Sequence, residues 1–410
     1  MGNQWNNPVI IADKMLEFFD GLSEVATKIN RDYESSFQMS KESVGQTIYV
    51  EKPPRYTSVD GPAIAAVQDI NIGKIPVIVN NWKTVAVKLT GLDLTFNAKE
   101  FDAWAEKYLK PMVSPLANAV DMSVFGLWNQ IYNQVGVCGT GFGATAITAT
   151  DLMMAARQKL TLVGNTPNED RICYLNPTAC RAFVGATAAG FNPQAAIGSA
   201  MQSGAPFRTA GIDVYEANNV GIMTAGTLIA ADNPTTQVAG AAQVGNSIAV
   251  ASVGVKTLTV GQVINIGGVF SVNPTSKQST GLLQDFRVTA AFTGAVTGTV
   301  FIDPPIIPTG PFQNVTNAAA NSQVITVTGV PVSATQYPQN LAFWKKALGL
   351  VTVPIKPPEN LNGTTRTYNG MSITLTSGSD IYIFEQIWRA DIAYGVVAYY
   401  PENACRIIGS

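Results

Sequence analysis

The chain has 410 residues, more than one compact core usually holds, since single cores stop growing near about 250–300 residues, so two or three modules are expected. Its 26 basic and 28 acidic residues make only 13% of the chain, against roughly 25% in an ordinary soluble domain, while a hydrophobic content of 46% excludes global disorder. A net charge of −2 offers no basic field for nucleic acid at whole-chain level, and the complete absence of histidine excludes Ser-His-Asp and Cys-His chemistry and every imidazole metal site.

In chain order, residues 12–29 have helical spacing, with Leu16, Phe19, Leu22, Ala26 and Ile29 on one side. This helix can pack on its own core or on a neighbour. The stretch GQTIYVEKPPRYTSVDG starts as a strand and then carries Pro53-Pro54, which no central strand tolerates. IPVIVNNWKTVAVKLTGLDLTF is a second extended stretch, with Val85, Val87 and Leu89 alternating with polar residues. Together they predict a long hairpin bearing Lys52, Arg55, Lys74, Lys83 and Lys88, too long to stand alone. Asn97 is placed to cap a helix that starts at Ala98, and residues 112–131 resume helical spacing beyond Pro111 and Pro115 as a long, kinked helix pair. Thr148 and Asp151 resemble a capping box for the next helix. Ile172–Leu175 reads as a strand, Asn176-Pro177 opens a further helix, and GIDVYEAN is a short strand.

The character changes between residues 222 and 340, where only Asp232, Lys256, Lys277, Asp285, Arg287 and Asp303 are charged. Short β-type runs separated by Gly, Pro, Asn and Ser predict a small all-β barrel or sandwich. Beyond it, LAFWKKALGLVTVPI reads as a short helix followed by a strand, and strands continue to the end of the sequence. The chain is therefore an α+β body interrupted by a β insert.

No motif carries catalytic chemistry. Gly139-x-Gly141-x-x-Ala144 formally matches a dinucleotide fingerprint but lacks the flanking strand and the acid that follows it, and is read as a turn. Glu169-Asp170 reads as a solvated turn. Arg389 and Asp391 lie two apart in a predicted strand and share a face, as a structural ion pair would. Tyr394, Tyr399 and Tyr400 read as sheet packing. Cys138, Cys173, Cys180 and Cys405 form no Cys-x-x-Cys pair and are expected to be buried free thiols. Met122–Thr150 is uncharged but too polar to span a membrane. No catalytic residue, metal or cofactor is assigned.

The order of GQTIYVEKPPRYTSVDG, IPVIVNNWKTVAVKLTGLDLTF, KEFDAWAEKYLKPMVSPLANAVD, AFWKKALGLVTVPI and WRADIAYGVVAYYPENACRI resembles the P22-type major coat proteins of tailed bacteriophages over nearly the whole chain. The resemblance implies an α+β, HK97-like capsid fold with an inserted small all-β barrel. It implies an N-terminal arm at 1–40, an extended E-loop at 41–95, and a peripheral domain with a long spine helix at 96–145 together with 381–410. The axial domain would take 146–221 with 340–380, and the β-barrel insertion domain 222–339. It further implies a major capsid protein of the virion that self-assembles, as hexamers and pentamers, into an icosahedral shell around double-stranded DNA. Assembly would take place in the host bacterial cytoplasm. The implied partners are the protein itself, a scaffolding protein, a portal, non-specifically contacted packaged DNA and a decoration protein, with no membrane. Candidate inter-subunit contacts are Lys52, Arg55, Lys74, Asp232, Arg389 and Asp391. Family loops that contact neighbours through charges match residues 231–245, where Asp232 is the single charge. The alternative is another structural virion protein, a tail or decoration component, and beyond it a nucleotide-dependent enzyme using the Gly139 loop.

Overall fold

A computed structural model describes residues 8–31, 47–52, 73–90, 104–138, 146–163, 170–190, 208–228, 236–251, 254, 256–294, 297–329, 333–358, 361–380 and 385–409. The chain divides into two compact units. The first comprises Met1–Lys52, Gly73–Val124 and Leu348–Tyr399, and the second Pro53–Ile72, Phe125–Ala347 and Tyr400–Ser410.

The first unit is organised by the long strand Glu385–Ala398. It pairs antiparallel with Asn81–Thr90 along one edge, and with Met371–Asp380 and Leu348–Val353 along the other. Asn362–Tyr368 extends the sheet beyond Met371–Asp380. Its first half alternates, with Trp388 and Ala390 buried and Ile387 and Arg389 facing outward, and from Ala390 to Gly395 both faces are buried. Tyr394 reaches the long helix, where its hydroxyl donates to the Ala119 carbonyl at 3.1 Å and lies 2.8 Å from Ser123 Oγ. The N-terminal helix Pro8–Leu22 packs Ile11, Met15, Leu16 and Phe19 inward, against the hairpin of residues 362–380. In this unit the helix packs on its own core, one of the two arrangements that the sequence leaves open.

That helix ends at Leu22, short of the expected 29. Asp121 accepts the backbone N–H groups of Glu24, Val25 and Ala26 at 2.8, 3.3 and 3.2 Å, which draws the chain out of the helical path. Among the described residues, the second arm of the expected long hairpin divides between two partners. Thr47–Lys52 pairs with Gly73–Ile78, whereas the following strand, Asn81–Thr90, joins the body sheet because Glu385–Ala398 offers it a full-length partner. The expected helix pair is one helical run: a π-turn Ala105–Leu109, an α-helix Lys110–Phe125 with Pro115 inside it, and a 3-10 turn Gly126–Gln130. Asn97 and Ala98 lie outside the described residues.

The second unit contains a mixed sheet in the order Gln134–Val135, Ala404–Ile408, Gln336–Trp344, Arg171–Leu175, Asp213–Glu216. Helices Ala146–Leu162 and Pro177–Gly190 pack Met153, Ala156, Leu160, Cys180 and Phe183 against its Cys173, Leu175, Ala342, Cys405 and Ile407. The first of these helices starts two residues before Thr148, which is therefore not its cap, and residues 139–145 of the Gly-rich turn lie outside the described residues. The short helix expected at 341–350 is absent. Leu341, Ala342 and Phe343 are central strand residues paired on both sides, and Lys345-Lys346 sit in the turn to Leu348–Val353. Burial between two strands overrides local helical spacing there.

The insert leaves this sheet through a paired stalk, Ile222–Thr224 against residues 336–338. Its six-stranded sheet runs Ile325–Val327, Val263–Val272, Ser279–Val288, Thr297–Ile306, Gly245–Ala251, Gln237–Val238. The end strands meet, with Val238 N–H donating to Gln323 O and Ile325 N–H to Thr236 O, both at 2.9 Å. The sheet is therefore closed around Ile248, Ile264, Ile266, Phe286, Val300 and Ile302, and the expected all-β barrel is present.

Candidate assembly surfaces

The base of the hairpin presents Lys74, opposite Glu51 in register, and exposes Tyr49 and Ile78. Lys52 ends the first strand of that hairpin, but its side chain lies outside the described residues, as do Arg55 and Asp232 altogether.

Arg389 and Asp391 are brought together on the long strand. The Arg389 Nε and Nη2 groups donate to both Asp391 oxygens at 2.8–3.0 Å. Trp82 Nε1 and the Thr84 hydroxyl, from the neighbouring strand, donate to the same carboxylate at 2.9 and 2.5 Å. Burial alone would raise the Asp391 carboxyl, but these bonds and the Arg389 charge hold it below the usual carboxylate range. Asp391 is thus saturated within the subunit and its side chain is 6% exposed, whereas Arg389 remains 48% exposed. Beside it, Trp82 and Ile387 are exposed apolar side chains.

A second constellation docks the barrel on the mixed sheet. Asp285, a buried carboxylate of the barrel, accepts the Gln134 N–H at 3.0 Å and Asn265 Nδ2–H at 2.7 Å, and pairs with Lys159 Nζ. Two residues on, Arg287 donates to the Asn129 carbonyl at 2.9 Å and to Asp303 at 2.8 Å. Gln134 Nε2 donates to Thr328 O at 3.1 Å. No motif marks these residues, yet Asp285 and Arg287 are two of only six charges in the insert, and that scarcity is a usable signal.

All four cysteines are buried and free. Burial pushes Cys138 up to about 11 and Cys405 up to about 12, far from a reactive thiolate. Asp170 sits in an exposed turn and pairs with Lys345 at 2.7 Å. Among the described residues, no group of three or more His, Cys, Asp or Glu side chains could hold a metal ion, and no helix is long and apolar enough to cross a membrane.

A sheet packed on a long helix with a paired hairpin in one unit, and a closed barrel inserted through a two-strand stalk in the other, are the parts of the HK97-like fold of virion shell proteins. A family profile described as "P22 coat protein - gene protein 5" matches residues 3–409, and the chain belongs to that family. It is a major capsid protein, a structural subunit that self-associates to form a phage head shell. Among solved structures, the chain is similar to one from Mycobacterium phage Che8, at 13% identity and TM-score 0.46, covering 94% of this chain and 90% of that one. It is also similar to the capsid of cyanophage P-SCSP1u, at 12% identity and TM-score 0.45, covering 91% and 85%. A third is the mature capsid of bacteriophage PhiM1, at 10% identity and TM-score 0.40, covering 92% and 88%. No curated protein sequence matches the chain.

Proposed function

We propose that the subunits associate as hexamers and pentamers that close into an icosahedral shell around double-stranded DNA. Assembly takes place in the host bacterial cytoplasm, with a scaffolding protein and a portal, and with a decoration protein on the finished shell. The protein acts through geometry and catalyses nothing. The observation that carries this reading is the family match across residues 3–409. The low charge content supports it, since charged residues are depleted at the centres of protein interfaces.

In this reading residues 1–40 are the arm, 41–95 the E-loop, and 96–145 with 381–410 the peripheral domain. Residues 146–221 with 340–380 are the axial domain and 222–339 the insertion domain. The contacts between subunits use Lys52, Arg55 and Lys74 on the hairpin, Asp232 on the insert, and the exposed guanidinium of Arg389, which Asp391 holds in place.

Electron microscopy with sedimentation on the purified protein, alone and with scaffolding protein, tests the reading. Closed shells, spirals or tubes of hexameric units are expected. A small monodisperse species under both conditions overturns it.

A further inference from the structure

Trp128 lies in the 3-10 turn Gly126–Gln130 in which the long helix ends. Three elements converge on its indole. The pyrrole edge meets the backbone at Gly221, just before the stalk, where an added Cβ would lie 2.2 Å from Cδ1 and 2.5 Å from Nε1. The far edge meets Gly261, in a barrel turn, where an added Cβ would lie 2.7 Å from Cζ3. Gly261 has φ +85°, so glycine is required at this position both by its backbone and by the indole. The ring face carries the Arg406 guanidinium, its Cζ 5.6 Å from the ring, supplied by the sheet strand Ala404–Ile408. Next along the turn, the Asn129 carbonyl accepts the Arg287 bond from the barrel.

Arg406 is fully buried, and its Nη1 donates to Gln339 Oε1 at 3.3 Å. Its Nε and Nη2 have no hydrogen-bond partner among the described residues. The indole face is one favourable neighbour of its charge, and the Asp285 carboxylate is another.

We infer that Trp128 is a positioning residue, a wedge between Gly221 and Gly261 that fixes the angle of the insertion barrel to the turn ending the long helix. The stalk by itself is a two-strand ribbon of three pairs. Such a ribbon resists bending weakly and twisting less. The wedge stops rotation about it, and the Asp285 bonds to Gln134 and Lys159 add a second docking contact. This deepens the coat-protein reading and rests on it: in a shell, each barrel takes its direction from its own helix end.

The test places spin labels at Met154→Cys, on helix Ala146–Leu162, and at Val244→Cys, on the barrel, both exposed positions. The native thiols are buried and leave the labelling selective. Electron–electron double resonance on the unassembled full chain is expected to give one narrow distance. Trp128→Ala should broaden or displace it while far-UV circular dichroism stays native, and Trp128→Phe should give an intermediate distribution. A folded Trp128→Ala chain with an unchanged distribution overturns the inference. If Trp128→Ala does not fold, Gly221→Ala drives a methyl group into the indole and must displace the distance; an unchanged distance there also overturns it. Because no shell is needed, failure here is separate from failure of the coat-protein reading, which the microscopy decides.

Discussion

Asp121 and Asp391 are both buried, one facing three backbone N–H groups and the other an arginine, a threonine and a tryptophan. Their titrations run in opposite directions. Burial pushes the Asp121 carboxyl above its ordinary 3.8, and the three N–H bonds only partly offset this. The folded state then holds that proton more tightly than the unfolded chain, so stability falls as pH rises from 3.8 through the raised value. Asp391 is held below 3.8, so its contribution is present above 3.8 and is lost as pH falls through the lowered value. Urea midpoints across acidic pH should show both slopes. Asp121→Asn should remove the decline above 3.8. Asp391→Asn should remove the acid loss and cost about 2 kcal/mol at neutral pH, the scale of hydrogen bonds to a charged group. An Asp391→Asn protein that keeps its full acid loss would show the slope to belong elsewhere. The Arg389–Asp391 pair is legible in the sequence because two residues apart in a strand means one face. Asp121 is not, because its partners lie 95 to 97 positions away and are backbone atoms.

Elements were legible where periodicity and burial agree. The N-terminal helix is one such case: its spacing marks Leu16 and Phe19 as inward, and both are buried. Its end was not legible, because a distant carboxylate sets it. Residues 341–350 went the other way. Their apolar spacing fits a helix as well as a strand, and only the pairing of Leu341–Phe343 on both sides decides for the strand. The helix packs on the 362–380 hairpin through few large side chains, so Phe19 should dominate its docking. Phe19→Ala is expected to cost about 3–5 kcal/mol by opening a cavity. Amides of residues 8–22 should lose protection in hydrogen exchange before those of Glu385–Ala398. Equal loss in both segments would mean that the helix and the sheet unfold as one.

At the scale of the whole molecule, the insert has what an independent domain needs. Its sheet closes on itself, so no edge strand is left unpaired by excision. Its core of Ile, Val and Phe side chains comes from within 228–327. Its entry and exit strands pair with each other, which brings the two cut ends together. The change of composition after residue 222 made the barrel legible in the sequence; the docking was not, since Lys159 and Gln134 come from a different stretch of chain. Residues 222–339 expressed alone should therefore give a β-type circular dichroism spectrum and a cooperative thermal transition. The excised barrel carries its own penalty, because Asp285 loses Lys159 and the Gln134 N–H, and Arg287 loses the Asn129 carbonyl. Exposed to water, those groups are solvated rather than stranded, so the loss should lower the melting temperature without abolishing folding. Asp285→Asn should then change the melting temperature of the excised barrel less than that of the full chain, since the charge has its lysine partner only in the latter. Equal shifts in both would mean that Asp285 acts through Asn265, inside the barrel, and not through the docking contact.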